Sequence, residues 1–396
     1  MPWKRYEIMD EKLRFIARLL EGEKMAVLCR EFRISRKTGY KIFNRYKECG
    51  IAAVVDRSRR PVRFGNQLPF QIEKEILSIK KDKPFWGAPK IREKLIRKHP
   101  DVRPPAISTV HAVLDRNGLV KKRKGRKRSK AKGTALSIPT NPNDLWCADY
   151  KGEFMLGNKK YCYPLTITDS ASRFILSCEG LETTKEKYAF SVFESVFKEY
   201  GIPKAMRTDN GVPFASPNSL FNLSKLSVWW LRLGIQIERI KPGNPQQNGR
   251  HERMHLTLKK EATRPAGMNF LKQQEKFDYF IDYYNNERPH QGLDMKYPSE
   301  IYASSKKEYK GLPEVEYPLH DKTINVTSCG RICIERCKIN LSKVFAGQAV
   351  GVRQVENKIW LVSFMHYDLG FFDTLSKRFE PIDNPFGAKV LPMSPV

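Results

Sequence analysis

The chain has 396 residues, 40% of them hydrophobic, and a formal net charge of +29. That length suits about two to four domains, and the apolar share excludes wholesale disorder. So much positive charge repels itself and points to a polyanionic partner. No apolar run is long enough to span a bilayer, and residues 1–10 are polar and charged, unlike a secretory signal. The expectation is a cytoplasmic protein whose partner is nucleic acid rather than a membrane surface; the motifs below narrow that partner to double-stranded DNA. The eight cysteines include no C-x-x-C pair, and Cys329, Cys333 and Cys337 lack a histidine cluster to complete a zinc site. They read as free thiols in a reducing compartment.

In chain order, residues 11–20 predict a helix with Leu13, Ile16, Ala17 and Leu20 on its apolar face. A second helix is expected near 25–32. After a turn at Arg33 and Ile34, Ser35 reads as an N-cap for a basic helix over 36–47, with Tyr40, Ile42, Phe43 and Tyr46 available for packing. Two helices, a tight turn and a basic third helix describe a helix-turn-helix. Its outward side offers Ser35, Arg36, Lys37, Lys41 and Arg45 to DNA; a small bundle with solvated charges is the blander alternative.

Residues 56–69, rich in Arg and Pro, read as a linker. Helices over 71–81, 90–98 and 108–117, the last with Ser108 as cap, make a second helix-turn-helix. The next stretch carries Lys121, Lys122, Arg123, Lys124, Arg126, Lys127 and Arg128. Such a run cannot bury apolar surface. It is both a linker and an arm for DNA phosphates, where each neutralised phosphate adds salt-dependent affinity.

From residue 143 the pattern changes to strands over 145–154, 160–168 and 173–178, a helix over 183–200, a strand at 205–208, a helix over 220–233, a strand over 235–240 and helices beyond 244. That order is the order of a ribonuclease H-like α/β domain. Past a linker at 309–318, short β-type runs at 331–335, 349–355, 358–364 and 370–374 suggest a small five-stranded β-barrel. The chain therefore divides into a helix-turn-helix DNA-binding domain (1–60), a second one (61–120), a basic linker (121–142), a ribonuclease H-like catalytic core (143–305) and a small β-barrel (320–385).

Three acids stand out within this frame. Asp149 sits mid-strand, Asp209 follows a short strand before Asn210-Gly211, and Glu252 lies in a helical stretch. A carboxylate inside an apolar strand is costly unless it is paired or holds a metal. Carboxylates converging from strand ends and a helix form a hard oxygen site suited to Mg²⁺, where two ions activate a nucleophile and stabilise a leaving oxygen. Each acid alone has a plain reading: a turn cap for Asp209, a lysine partner for Asp149, a surface position for Glu252.

Taken together, residues 143–303 resemble the catalytic core of insertion-sequence transposases in the retroviral-integrase superfamily. The resemblance rests on Trp146-Cys147-Ala148-Asp149-Tyr150, Ile167-Thr168-Asp169-Ser170-Ala171-Ser172-Arg173, Thr208-Asp209-Asn210-Gly211, Pro245-Gln246-Gln247-Asn248-Gly249 with Glu252, and Tyr284-Asn285-Asn286-Glu287-Arg288-Pro289-His290. It implies an integrase catalytic core that performs metal-dependent 3′-end cleavage and strand transfer, with Asp149, Asp209 and Glu252 as catalytic metal ligands. Two Mg²⁺ ions are implied, Mn²⁺ being a possible substitute, and so is a homo-oligomer on terminal-repeat and target DNA. The stretch from Asp209 to Glu252 is longer than the family commonly has, and the extra residues are placed around 215–224. Glu238 and Glu261 compete with Glu252 for its role.

Asp169 and Arg173 read as a structural pair. His255 and Lys259 share a helix face with Glu252 and, with Asn248 and Arg288, are candidate DNA contacts in the core. His251 and His255 could suggest a zinc pair, but the H-E-x-x-H order is broken. Two other functions compete with a transposase: a catalytically inactive DNA-binding regulator derived from one, and a nuclease acting on RNA–DNA hybrids. The complete acidic triad argues against the first and the two DNA-reading modules against the second.

Overall fold

A computed structural model describes residues 8–54, 68–120, 136–241 and 245–386. The basic run at 121–128 and nearly all of the 56–69 linker lie outside these residues. The chain forms two compact units, Met1–Phe70 and Gln71–Val396. Among the described residues, no helix is long and apolar enough to cross a membrane.

The first unit is a helix-turn-helix of α1 (Ile8–Leu20), α2 (Met25–Glu31) and α3 (Arg36–Cys49), followed by a short 3-10 turn (Gly50–Val54). Its core is Phe15, Leu28 and Cys29, with Leu19, Met25, Phe32, Ile34 and Ile42 packed against them. The face expected for α1 is thus turned: Ile16 is buried, but Leu13 and Leu20 are exposed, and Phe15 is the central residue. Arg33 takes a left-handed φ of 53° in the turn between α2 and α3. Gly39 allows the close crossing of α3, since a Cβ there would lie 2.6 Å from Cys29 Sγ and 2.9 Å from Met25 Sδ.

The second unit opens with α4 (Phe70–Asp82), α5 (Ala88–Lys98) and α6 (Ile107–Arg116), the second helix-turn-helix. Ala106, not Ser108, precedes the first turn of α6, and no side chain caps it. Trp86, almost wholly buried, stacks on Tyr283 with ring centroids 6.2 Å apart and donates its indole N–H to the Tyr283 hydroxyl. Arg97 pairs with Glu300, and Lys94 lies 3.3 Å from Glu287. These contacts fasten the three helices to the domain that follows.

That domain is a mixed sheet. β1 (Leu145–Tyr150), β3 (Tyr161–Asp169) and β4 (Ile175–Leu181) pair antiparallel, while β5 (Ala205–Thr208) and β6 (Gln236–Arg239) continue from β1 in parallel. β2 (Phe154–Met155) pairs with β3 at Cys162 and Tyr161. The one strand expected over 145–154 is therefore broken between Tyr150 and Phe154. Helices α7 (Glu186–Tyr200) and α8 (Lys225–Arg232) cover one part of the sheet, and α9 (Gly249–Glu261) and α10 (Phe270–Asn286) follow. A core of Trp146, Leu165, Phe193, Phe197, Met206 and Trp230, each almost wholly buried, lies between sheet and helices. Three antiparallel strands, two parallel ones and flanking helices make the ribonuclease H-like arrangement.

C-terminal to this core, β7 (Lys322–Asn325), β10 (Ala349–Glu356), β11 (Ile359–Phe364), β12 (Tyr367–Asp373) and β13 (Arg378–Pro381) form a five-stranded antiparallel sheet, with β8 (Arg331–Ile334) and β9 (Cys337–Asn340) as a separate hairpin. The expected closed barrel is not what forms. The ladder ends at β7 and β13, and the hairpin contributes Ile332, Ile334 and Ile339 to the shared core by packing rather than by pairing with either edge. The stretch at 215–224 docks this module: Phe221 and Leu223 are buried in the same cluster as Val350, Val362 and Phe345.

Candidate active site

Strand register brings the two aspartates to one place. β1 and β5 run parallel with Leu145 beside Ala205 and Cys147 beside Arg207. Continuing that register sets Asp149 beside Asp209, on neighbouring strand lines about 5 Å apart. The Asp209 carboxylate accepts the Gly211 N–H at 3.2 Å, and burial raises its pKa. Asp149 is raised further, to about 7, first by burial and then by the charges of Asp209 and Glu252, against which Lys151 acts. That coupling places Glu252 within electrostatic reach of the aspartates.

Helix α9 supplies the acid because its other face is apolar. Met254, His255, Leu258 and His251 are buried, while Glu252 and Lys259 remain exposed. The helix starts after a 3-10 turn (Pro245–Asn248). Gln247 accepts the Lys241 N–H at 2.7 Å. The two competing acids are occupied elsewhere: Glu238 pairs with Arg207 at 3.1 Å, and Glu261 with Arg288 at 2.8 Å.

A histidine–threonine network lies under the acids, and the sequence reading passed over it. Thr166, paired with Asp149 across the sheet, donates to the Asp149 carbonyl oxygen at 3.0 Å. Its Oγ1 also lies 2.8 Å from His251 Nε2 and 2.7 Å from His255 Nε2, and Thr168 Oγ1 lies 2.8 Å from His251 Nδ1. Burial holds both imidazoles neutral, His251 down to about 3 and His255 to about 2. With its hydroxyl proton on the Asp149 carbonyl, Thr166 accepts from both Nε2–H groups. The Nδ1 of His255 then turns a lone pair toward Asp149 Oδ2, 3.8 Å away.

Asp149, His251 and His255 could together suggest a metal cluster, since their ligand atoms lie within 4.8 Å of one another. Both nitrogens of His251 are taken by threonine hydroxyls, however, so it supports the site rather than ligating within it. Asp149 and Asp209 stand on adjacent strands, and Glu252 lies near enough to add to the rise that burial and Asp209 impose on Asp149, so the three acids offer hard oxygen donors that repel one another. A hard divalent cation would relieve that repulsion, so the residues fit Mg²⁺.

Other expected contacts fall differently. His255 is only 7% exposed and points inward, and Arg288 is 8% exposed and ion-paired, so neither presents the free surface expected of a DNA contact. Asn248 is 5% exposed. Lys259 is exposed and close enough to Lys151 to lower its pKa, after the larger effect of burial. Asp169 is not paired with Arg173. Its oxygens accept from the N–H of Asn143 at 2.8 Å and from the N–H and hydroxyl of Ser172 at 2.7 and 2.6 Å. In the first unit, Arg36, Lys37 and Lys41 are exposed, Arg45 is half-buried, and Ser35 caps α3 by accepting the Thr38 N–H at 3.1 Å.

Comparison with known proteins agrees with this architecture. Residues 139–245 and 233–298 each match a family model described as an integrase core domain. Residues 11–61 match a helix-turn-helix domain and residues 38–114 a homeodomain-like domain. A transposase for insertion sequence element IS904 from Lactococcus lactis is 28% identical over 250 residues, 58% of this chain and 95% of that protein. An uncharacterized protein of insertion element IS407 from Burkholderia multivorans is 25% identical over 185 residues, 46% of this chain and 64% of the relative. The Gag-Pro-Pol polyprotein of Mason-Pfizer monkey virus is 34% identical over 119 residues, 30% of this chain and 6% of the polyprotein. The fold carries an integrase core behind DNA-binding helices. Residues 139–298 thus match the integrase core family, and the chain is similar to insertion-sequence transposases.

Proposed function

We propose that this chain binds the ends of a mobile DNA element through its helix-turn-helix units, cleaves the 3′ ends and joins them to target DNA. The observation that carries this reading is the parallel register of β1 and β5, which sets Asp149 beside Asp209, with Glu252 near enough to act on Asp149. Asp149, Asp209 and Glu252 would hold two Mg²⁺ ions, with Mn²⁺ as a substitute. When bound, such ions polarise the attacking and leaving oxygens of a phosphodiester. The chain's own part is positional. Thr166 ties the Asp149 backbone to the two buried imidazoles, which fixes the strand from which the carboxylate projects. Lys151 and Lys259 set positive charge at the rim, where a scissile phosphate is drawn in. Water breaks the bond at the 3′ end and leaves a 3′-hydroxyl. That hydroxyl then attacks a target phosphodiester and displaces a target 3′-hydroxyl, with no covalent enzyme intermediate. A homo-oligomer on DNA is part of this reading, because two ends are joined in one event.

The test separates binding from chemistry. Asp149→Asn and Asp209→Asn keep side-chain shape but remove the charge that holds a cation. Both variants should lose strand transfer on a labelled end duplex and shift that duplex in a gel as the wild type does. Near-normal transfer by either purified variant removes that aspartate from the site. Wild-type binding without any cleavage would favour a DNA-binding regulator instead.

A further inference from the structure

On the flank of α9 turned away from Glu252 lies a cavity of about 550 Å³ with an unusual lining. Arg250 and Arg253 come from α9, Arg173 from the turn between β3 and β4, Arg288 and His290 from the segment after α10, and Lys90 from α5 of the second helix-turn-helix. Lining positions 250, 253 and 257 recur at helical spacing and sit well round the helix from Glu252. Glu261 answers Arg288, and Arg250 spends one N–H on the Ser170 carbonyl at 2.8 Å. The remaining cations repel each other: Lys90 is lowered to about 7, by burial first and then by Arg288, with Glu261 opposing and Arg173 and Arg253 adding to the fall. His290 is 6% exposed, and its Nε2 has no hydrogen-bond partner among the described residues; neither has Arg173 Nε.

No carboxylate lines the pocket, and among the described residues Lys90, Arg173, Arg250 and Arg253 have no ion-pair partner; four such cations beside an unsatisfied buried imidazole are costly unless an anion answers them. We infer that this pocket seats a backbone phosphate of the bound DNA, gripped jointly by Lys90 of the second helix-turn-helix and by Arg173, Arg250 and Arg253 of the catalytic core. The inference rests on the transposase reading and adds the contact through which end recognition and catalysis share one strand. The cations come from four separate segments rather than one phosphate-wrapping loop, which suits a strand running across the flank better than a free nucleotide. Gly292 is part of the seat. A Cβ at that position would overlap the Arg173 guanidinium, so only glycine leaves Arg173 in place.

The experiment measures affinity of the full-length chain for a fluorescent end duplex across a salt series, with Arg253→Ala, Gly292→Ala and, as a charge control on α7, Lys198→Ala. Arg253 and Lys198 are both exposed, and circular dichroism verifies folding. Arg253→Ala should bind about tenfold more weakly, with a salt slope reduced by about one. Gly292→Ala should also weaken binding although its charge is unchanged, and Lys198→Ala should match the wild type. A second arm follows thermal stabilisation by inorganic phosphate and by a mononucleotide. If Arg253→Ala and Gly292→Ala lose that stabilisation yet bind duplex like the control, the pocket takes a small anion and the proposal is overturned. Folded variants that match the control in both arms overturn it too. A wild-type chain that binds no duplex would instead sink the transposase reading itself.

Discussion

Asp149 and the two histidines beneath it titrate in opposite senses, and this makes the site testable without substrate. The Asp149 carboxyl is raised from 3.8 to about 7 in the folded chain. Its contribution to stability is therefore complete below about pH 4 and is lost as pH rises through 7, on the order of 2–4 kcal/mol. His251 and His255 are depressed from 6.5 to about 3 and about 2, so their contribution is present above pH 6.5 and is lost as pH falls below it. Asp149→Asn should raise the melting temperature of the metal-free protein at pH 8 and leave a profile that only declines toward acid. A divalent ion needs the ionised carboxylate, so Mg²⁺ binding should release a proton below pH 7 and tighten with pH up to that point. Calorimetry in two buffers of different ionisation enthalpy reads the proton directly. A binding constant flat from pH 5 to 8 would place the ion elsewhere. The three acids stood out in the sequence because each sits in a short motif of its own. The network under them did not, because Thr166 meets His251 and His255 at separations of 85 and 89 residues, and only the paired strands bring them together.

Helix α3 shows what element-level reading captures and where it slips. Its start was legible because Ser35 has the chemistry of a cap, whereas the buried face of α1 was misphased by one position. Leu13 and Leu20 fit a helical repeat as well as Phe15 and Leu19 do, and only the crossing of α3 at Gly39 decides which pair faces inward. The short strands β7, β9 and β13 escaped the sequence reading because each is only 4 residues long and mostly exposed. Ser35 was expected both to cap α3 and to touch DNA, and the structure shows the cap. The two tasks separate by substitution. Ser35→Ala should cost about 1 kcal/mol of stability in the first unit. Ser35→Asp keeps a capping oxygen and suits the helix N-terminus, so it should melt like the wild type. It also sets a negative charge beside Arg36 and Lys37, so end-duplex affinity should fall although stability does not. Equal affinity for the aspartate variant and the wild type would place this end of α3 away from DNA. Gly39→Val makes the complementary point: a branched side chain against Cys29 and Met25 should cost about 1–3 kcal/mol by overpacking, read as a lower melting temperature.

At the scale of the whole molecule, the stretch at 215–224, where the extra residues between Asp209 and Glu252 were expected, binds the C-terminal module. Phe221 and Leu223 share a core with Phe345, Val350 and Val362, beside Val228 and Leu231 of α8. Arg239 donates to the carbonyls of Phe221 and Asn222 at 3.0 and 2.9 Å, and Arg232 to Gln348 Oε1 at 2.8 Å. The ribonuclease H-like domain and the C-terminal sheet therefore meet across a dry, apolar boundary that is costly to open. The first unit, by contrast, closes around its own Phe15, Leu28 and Cys29. Scanning calorimetry of the full chain should show the C-terminal sheet and the catalytic core melting in one transition. Phe345 is wholly buried, so Phe345→Ala should remove about 3–5 kcal/mol and move that joint transition downward as one. A chain ended at residue 305 would leave Phe221, Leu223, Val228 and Leu231 without their partners, an exposed apolar patch of the kind that drives aggregation. Its soluble yield should fall accordingly. If the truncated chain is instead soluble and monomeric, or if Phe345→Ala splits off a separate early transition while the core melts unchanged, the stretch at 215–224 is a loose tether and the shared core does not hold the two parts together.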